Sequence, residues 1–129
     1  MILDTSAVVA ILLEEPEQDL FLSRLAAAPI ARISAGSLIE ATVVAVHGRK
    51  MHPDSVDCLV EDLGLQVAPV TLEQVRIARA AYRTYGRGTG HPARLNFGDC
   101  FAYALAKATG EPLLFKGEDF AATDVTPAA

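Results

Sequence analysis

Tryptophan is absent from this chain, cysteine occurs only twice, and positive charge is in short supply. The two thiols, Cys58 and Cys100, lie far apart and form no C-x-x-C pair. They are too few for the disulfide framework of a small secreted domain or for a structural zinc site. No apolar run approaches the roughly 18 to 20 residues of a membrane span; the longest candidate is Ala7 to Leu13. No basic segment precedes a signal-like stretch, so the expected compartment is cytoplasmic, with no membrane partner. With 11 Lys and Arg against 16 Asp and Glu, the formal charge is −5. That balance argues against a general electrostatic nucleic-acid binder and leaves room only for a local basic surface. Linkers, repeats and low-complexity tracts are lacking as well. What remains is 129 residues, 51% of them hydrophobic, which fits one domain over residues 1–129 burying roughly two-thirds of its unfolded surface.

Short β-like runs alternate with longer helix-like ones between Gly and Pro, the pattern of an α/β domain with a mostly parallel sheet. Met1 to Leu3 read as a strand and Ser6 to Leu13 as a helix stopped by Glu14-Glu15-Pro16. A second helix starts at Pro16 and runs through Leu25 to Pro29, followed by a strand over Ile30 to Ser34. Gly36 to Val46 is apolar almost all round, which predicts a buried helix with Glu40 in its middle. A fourth helix opens at His52-Pro53-Asp54 and ends near Leu63, and Leu65 to Val70 read as a strand. Thr71 caps a fifth helix, Gly86 to Pro92 is a loop, and a sixth helix spans about Gly98 to Ala108 before Thr109-Gly110. Pro112 to Phe115 form a strand, Lys116-Gly117 a turn, Glu118 to Ala122 a helical turn, and Asp124 to Thr126 an edge strand.

Four acidic residues resist a purely structural reading. Glu40 on an apolar helix needs a cation or a hydrogen-bond partner, unless it points to solvent through a gap in the stripe. Asp4 ends the first strand, where α/β sheets place their ligands, although Asp, Thr and Ser there are also good helix caps. Asp99 sits in the first turn of the sixth helix, which the helix dipole favours in any protein. Asp119 follows the last apolar strand in what is equally an ordinary solvated turn. Taken together, all four fall where a parallel sheet would bring them to one edge. Like charges so placed raise one another's proton affinity and call for cations, and all-oxygen ligation points to Mg²⁺ or Mn²⁺. Such sites hydrolyse phosphodiesters with metal-activated water.

The stretches Met1-Ile2-Leu3-Asp4-Thr5-Ser6-Ala7, Ile39-Glu40, Leu95 to Lys107 and Leu113-Leu114-Phe115-Lys116-Gly117-Glu118-Asp119-Phe120 resemble, in this order and spacing, the VapC-type toxins of toxin–antitoxin pairs, which are PIN-domain ribonucleases. The resemblance covers essentially the whole chain. It implies a three-layer PIN-like domain, its mostly parallel sheet of four to five strands flanked by helices. It also implies a metal-dependent endoribonuclease whose acidic quartet is Asp4, Glu40, Asp99 and Asp119, with Asp4 and Asp99 the foremost Mg²⁺ or Mn²⁺ ligands and Thr5 or Ser6 orienting a ligand. It further implies a small VapB-like antitoxin whose C-terminal segment crosses the active-site groove, and a homodimer. Glu118 stands where the family often has Asn.

Between Glu73 and Asp99 there is no acidic residue but there are five arginines, Arg76, Arg79, Arg83, Arg87 and Arg94. Arg79, Arg83 and Arg87 are the candidate RNA phosphate contacts, with Tyr82 or Tyr85 available to stack on an unpaired base; the alternative is the solvated face of an amphipathic helix. His47, His52 and His91 show no ligand spacing, and Cys100 reads as a small buried filler. Lys116, next to the last acid, either balances the cluster's charge or is solvated. A receiver-like phosphoacceptor module is the competing class, but it needs a paired acidic motif after the first strand and an Asp ending a middle strand, and Leu65 to Val70 ends without a carboxylate. A haloacid-dehalogenase-type phosphatase needs Asp-x-Asp after the first strand, where this chain has Ser6.

Overall fold

In a computed structural model describing all residues 1–129, the first strand lies inside the sheet. Ile2–Leu3 (β1) pairs in parallel with Arg32–Ser34 (β2) on one side and with Leu113–Leu114 (β4) on the other. Gln66–Ala68 (β3) adds to β2, also in parallel, giving the order β3-β2-β1-β4. The tail extends the far edge: Leu113 N–H donates to Thr126 O and Ala128 N–H to Leu113 O, both at 2.8 Å. The expected edge strand therefore exists as a single bridge, Leu113 to Pro127, centred slightly later than Asp124 to Thr126.

Alternation along the strands sorts the core into two halves. Leu3, Ile33 and Leu114 point into one cluster, which is closed by α1 (Thr5–Leu12), α2 (Gln18–Ala27), α3 (Ala35–Thr42) and α4 (Ser55–Asp62). Ile2 and Leu113 point into the other, against α5 (Leu72–Tyr85) and α6 (Asp99–Thr109). Helices thus cover both faces of the sheet, the three-layer arrangement that the resemblance implies. Both helices that follow an inner strand are capped by the residue that joins strand to helix. Asp4 accepts from Ser6 N–H at the start of α1, and Ser34 Oγ accepts from Gly36 N–H at 3.2 Å at the start of α3. Thr71 caps α5 as expected, its Oγ1 accepting Gln74 N–H at 3.2 Å, and Gly110 ends α6 in the left-handed conformation at φ 68°.

Helix α3 departs from expectation. It is followed by π-helical turns over Val43–Gly48, and it is not buried all round: Ile39 is 67% and Val43 54% exposed. The inward side is lined instead by Gly36, Ser37, Ala41 and Ala45. A Cβ on Gly36 would overlap the Phe101 ring, so α3 approaches α6 too closely for large residues on that side. Small side chains face the core here, and the bulky apolar ones face out. Helix α2 begins at Gln18 rather than Pro16, and α4 at Ser55 rather than His52; these shifts leave the site unaffected.

Candidate active site

Asp4 leaves β1 and turns at once into α1, so its carboxylate is held at the strand end and is only 3% exposed. Its Oδ2 accepts two hydrogen bonds from Ser6, from the N–H at 2.9 Å and from the hydroxyl at 2.6 Å. Its Oδ1 is buried and has no partner. Capping therefore uses one oxygen and leaves the other free. Burial is the main reason the Asp4 pKa rises to about 6; the bonds from Ser6 act against it and the charge of Glu40 adds to it. Ser6 Oγ also accepts Lys116 N–H at 3.0 Å, which ties the end of β1 to the loop after β4. Thr5 does something different: its hydroxyl donates to Ser37 O at 3.2 Å, fastening α1 to α3.

Asp99 opens α6 through a reciprocal pair of bonds. Asn96 N–H donates to Asp99 Oδ2 at 2.9 Å, and Asp99 N–H donates to Asn96 Oδ1 at 2.9 Å. This is the capping-box arrangement, with Asn in the capping position and Asp three residues on. Asp99 is 8% exposed. Burial, partly offset by the Asn96 N–H, is the first cause of its pKa rising to about 7, and the charges of Asp4, Asp119 and Glu40 raise it further. Glu40, half-buried on α3, lays its carboxylate directly over Gly98, where any Cβ would overlap it. Asp119, exposed just before the 3₁₀ turn Phe120–Ala122, completes the set from the loop after β4.

All four acids border one open cleft of about 370 Å³, together with Thr5, Ser6, Asn96 and Lys116. They come from the ends of β1 and β4, from the middle of α3 and from the start of α6. The residues suit a hard divalent cation, because the donors are carboxylate oxygens and one of them, Asp4 Oδ1, is buried without any other partner. The acids surround the opening, and no three form a ready-made ligand group. Glu118 is exposed and stands outside the cleft lining. Lys116 does border the cleft, but its ammonium is bound by Glu15 and Glu17 rather than by the acidic quartet.

None of the arginines of α5 reaches this cleft. Arg79 and Arg83 line a separate apolar groove of about 410 Å³ between α5 and α6, with Tyr82, Phe97 and Phe101. The groove and the cleft meet at the start of α6, where Phe97 and Cys100 face one and Asn96 and Asp99 the other. Arg87 lies beyond both, its Nε donating to Arg94 O at 3.3 Å. Cys100 is buried as expected, and burial pushes its thiol up to about 11. Asn96 and Gly98 enter the site only through the structure, one by capping α6 and the other by its contact with Glu40. Their signals are an Asn-x-x-Asp spacing at a helix start and a glycine immediately before an acid.

The profile of the PIN domain family matches residues 1–125. The chain is 49% identical over 131 residues to ribonuclease VapC42 of Mycobacterium tuberculosis, covering 99% of this chain and 98% of the relative. It is 48% identical over 126 residues to ribonuclease VapC28 of the same species, covering 97% and 95%. Among solved structures it superimposes on Mycobacterium tuberculosis VapC20, described as a sarcin–ricin-loop-cleaving toxin, with a TM-score of 0.72 and 19% identity over 97% of this chain and 95% of that one. A toxin–antitoxin complex from Klebsiella pneumoniae superimposes with a TM-score of 0.69 and 19% identity over 93% and 89%.

Proposed function

Because the chain belongs to the PIN domain family, we propose that it is the toxin of a toxin–antitoxin pair, an endoribonuclease that hydrolyses RNA phosphodiesters in the acidic cleft. The observation that carries this reading is the convergence of Asp4, Glu40, Asp99 and Asp119 on one opening, with Asp4 Oδ1 buried and unpartnered. Near-full-length relatives that bear the name ribonuclease support it.

Asp4 and Asp99 would hold the cation, Mg²⁺ or Mn²⁺, with Glu40 and Asp119 completing or bridging through water. A bound divalent ion supplies an acidified water and charge neutralisation for the scissile phosphate. Ser6 fixes the Asp4 carboxylate by bonding one oxygen, which aims the other. The Asn96 N–H does the same for Asp99. Raised proton affinities at Asp4 and Asp99 mean that protons compete with a cation for these carboxylates, so cation binding displaces them and strengthens as pH rises. Thr5, expected to orient a ligand, serves through the backbone by pinning α1 to the helix that carries Glu40.

A VapB-like antitoxin, RNA as substrate and self-association as a homodimer complete the reading, the antitoxin supported by the likeness to a toxin–antitoxin complex. No helix is long and apolar enough to cross a membrane, and a cytoplasmic location accords with RNA as substrate. The test is incubation of purified protein with total RNA, with and without EDTA, mapping new 5′ ends. We expect cleavage that EDTA stops and that Asp4→Asn and Asp99→Asn each abolish. Undiminished cleavage in both variants would reject the assignment.

A further inference from the structure

We propose that Asn96 provides the cleft's hydrogen bond to RNA: its amide Nδ2 holds a non-bridging oxygen of the scissile phosphate while its Oδ1 holds the start of α6. The inference rests on the reading of the cleft as the cleavage site and adds a residue to it.

A phosphodiester is an acceptor, and this cleft is walled largely by acceptors. Four lining side chains carry donors: Thr5, Ser6, Asn96 and Lys116. Three are already engaged. The Thr5 hydroxyl donates to Ser37 O, the Ser6 hydroxyl to Asp4 Oδ2, and the Lys116 ammonium to Glu15 with Glu17 beside it. Asn96 differs. A backbone N–H can only donate, so the Asn96 atom that faces Asp99 N–H at 2.9 Å must be the oxygen. The amide orientation is thereby fixed, and Nδ2 occupies the other branch of the amide without an acceptor in the chain.

The group is also rigid. Asn96 is bonded to Asp99 from both its backbone and its side chain, so the donor is held before substrate arrives, which is what makes an electrostatic contact effective in catalysis. An amide suits the place because it is neutral: a lysine there would compete with the divalent ion for the carboxylates, and the amide does not. Every nucleotide presents the same phosphate oxygens, so the contact is independent of base sequence.

Three variants separate the two ends of the side chain. Asn96→Ser and Asn96→Asp both keep an oxygen that caps α6 and lose the amide donor; Asn96→Ala loses both. We expect Asn96→Ser to keep the wild-type melting temperature and Mg²⁺ affinity, with kcat on a short RNA reduced on the order of 100-fold and KM within a few fold. Asn96→Asp, which places an acceptor against the phosphate and a further negative charge beside Asp99, should still fold and lose at least as much activity. The proposal is overturned if Asn96→Ser or Asn96→Asp folds stably and cleaves within about threefold of wild type, and equally if Asn96→Ala loses stability and activity together while Asn96→Ser restores both. Failure of the underlying reading looks different: wild-type protein would show no EDTA-sensitive cleavage, or Asp4→Asn would cleave normally, and the inference would fall with it.

Discussion

Asp4 has two oxygens in two environments, one capping a helix and one buried without a partner, and its chemistry follows from that inequality. Asp4 and Asp99 ionise in the folded chain near 6 and 7, against roughly 3.9 in an unfolded one. The folded state therefore keeps protons that the unfolded state has released. The stabilisation this gives is complete below about pH 4 and is lost as pH rises through the folded values of about 6 and 7. For metal-free protein in EDTA, the melting temperature of wild type minus that of Asp4→Asn should fall between pH 5 and pH 8, and Mg²⁺ should raise the wild-type melting temperature most at the alkaline end. A difference that stays flat with pH would contradict the burial argument. The acids were legible from sequence only when weighed together, because a strand end, an apolar helix, a helix start and the turn after the last strand all fall where a parallel sheet meets at one edge. Asn96 was not, because its part depends on which way a side-chain amide is turned, and only the bond to Asp99 N–H decides that.

At the level of elements, the start of α6 matters most, because three features meet there: the Asn96–Asp99 cap, the contact of Gly98 with Glu40, and the edge of the α5–α6 groove. Gly98 has ordinary helical angles, φ −63° and ψ −39°, so alanine suits the backbone and by propensity alone would add about 0.5 to 1 kcal/mol. Its methyl would collide with the Glu40 carboxylate. Gly98→Ala should thus cost activity out of proportion to stability: cleavage down about tenfold or more, with Tm changed by only a few degrees. Wild-type cleavage rates in that variant would show that the placement of Glu40 is dispensable. The groove makes a separate prediction. If RNA phosphates reach Arg79 and Arg83, replacing either with alanine should flatten the slope of log affinity against log salt by about 0.7; an unchanged slope would leave both as solvated residues. Element types are readable from periodicity and from caps such as Thr71, whereas the inward face of α3 is the reverse of what its hydrophobicity predicts. A helix that packs tightly through Gly36, Ser37 and Ala41 turns its largest apolar residues outward, and hydrophobicity alone cannot reveal that inversion.

Across the whole molecule, the sheet order explains how acids 115 positions apart in sequence come to share a cleft. Two parallel partners flank β1, and the ends of β1 and β4 open on the same side. The alternation of strand and helix made that architecture legible, and the resemblance in the blocks around Asp99 and Asp119 made the family legible. Longer-range pairings were not legible, because nothing near Lys116 in sequence announces Glu15 and Glu17, and nothing near Leu113 announces its bonds to Thr126 and Ala128.

Asp4 follows β1 directly, and its N–H is bonded to Leu114 O on β4, 2.9 Å away, so the acid at the end of one strand is held by a strand from the far part of the sequence. The cleft is thus a product of long-range pairing: neither the Asp4 segment nor the Asp119 segment holds its acid in place without the other strand.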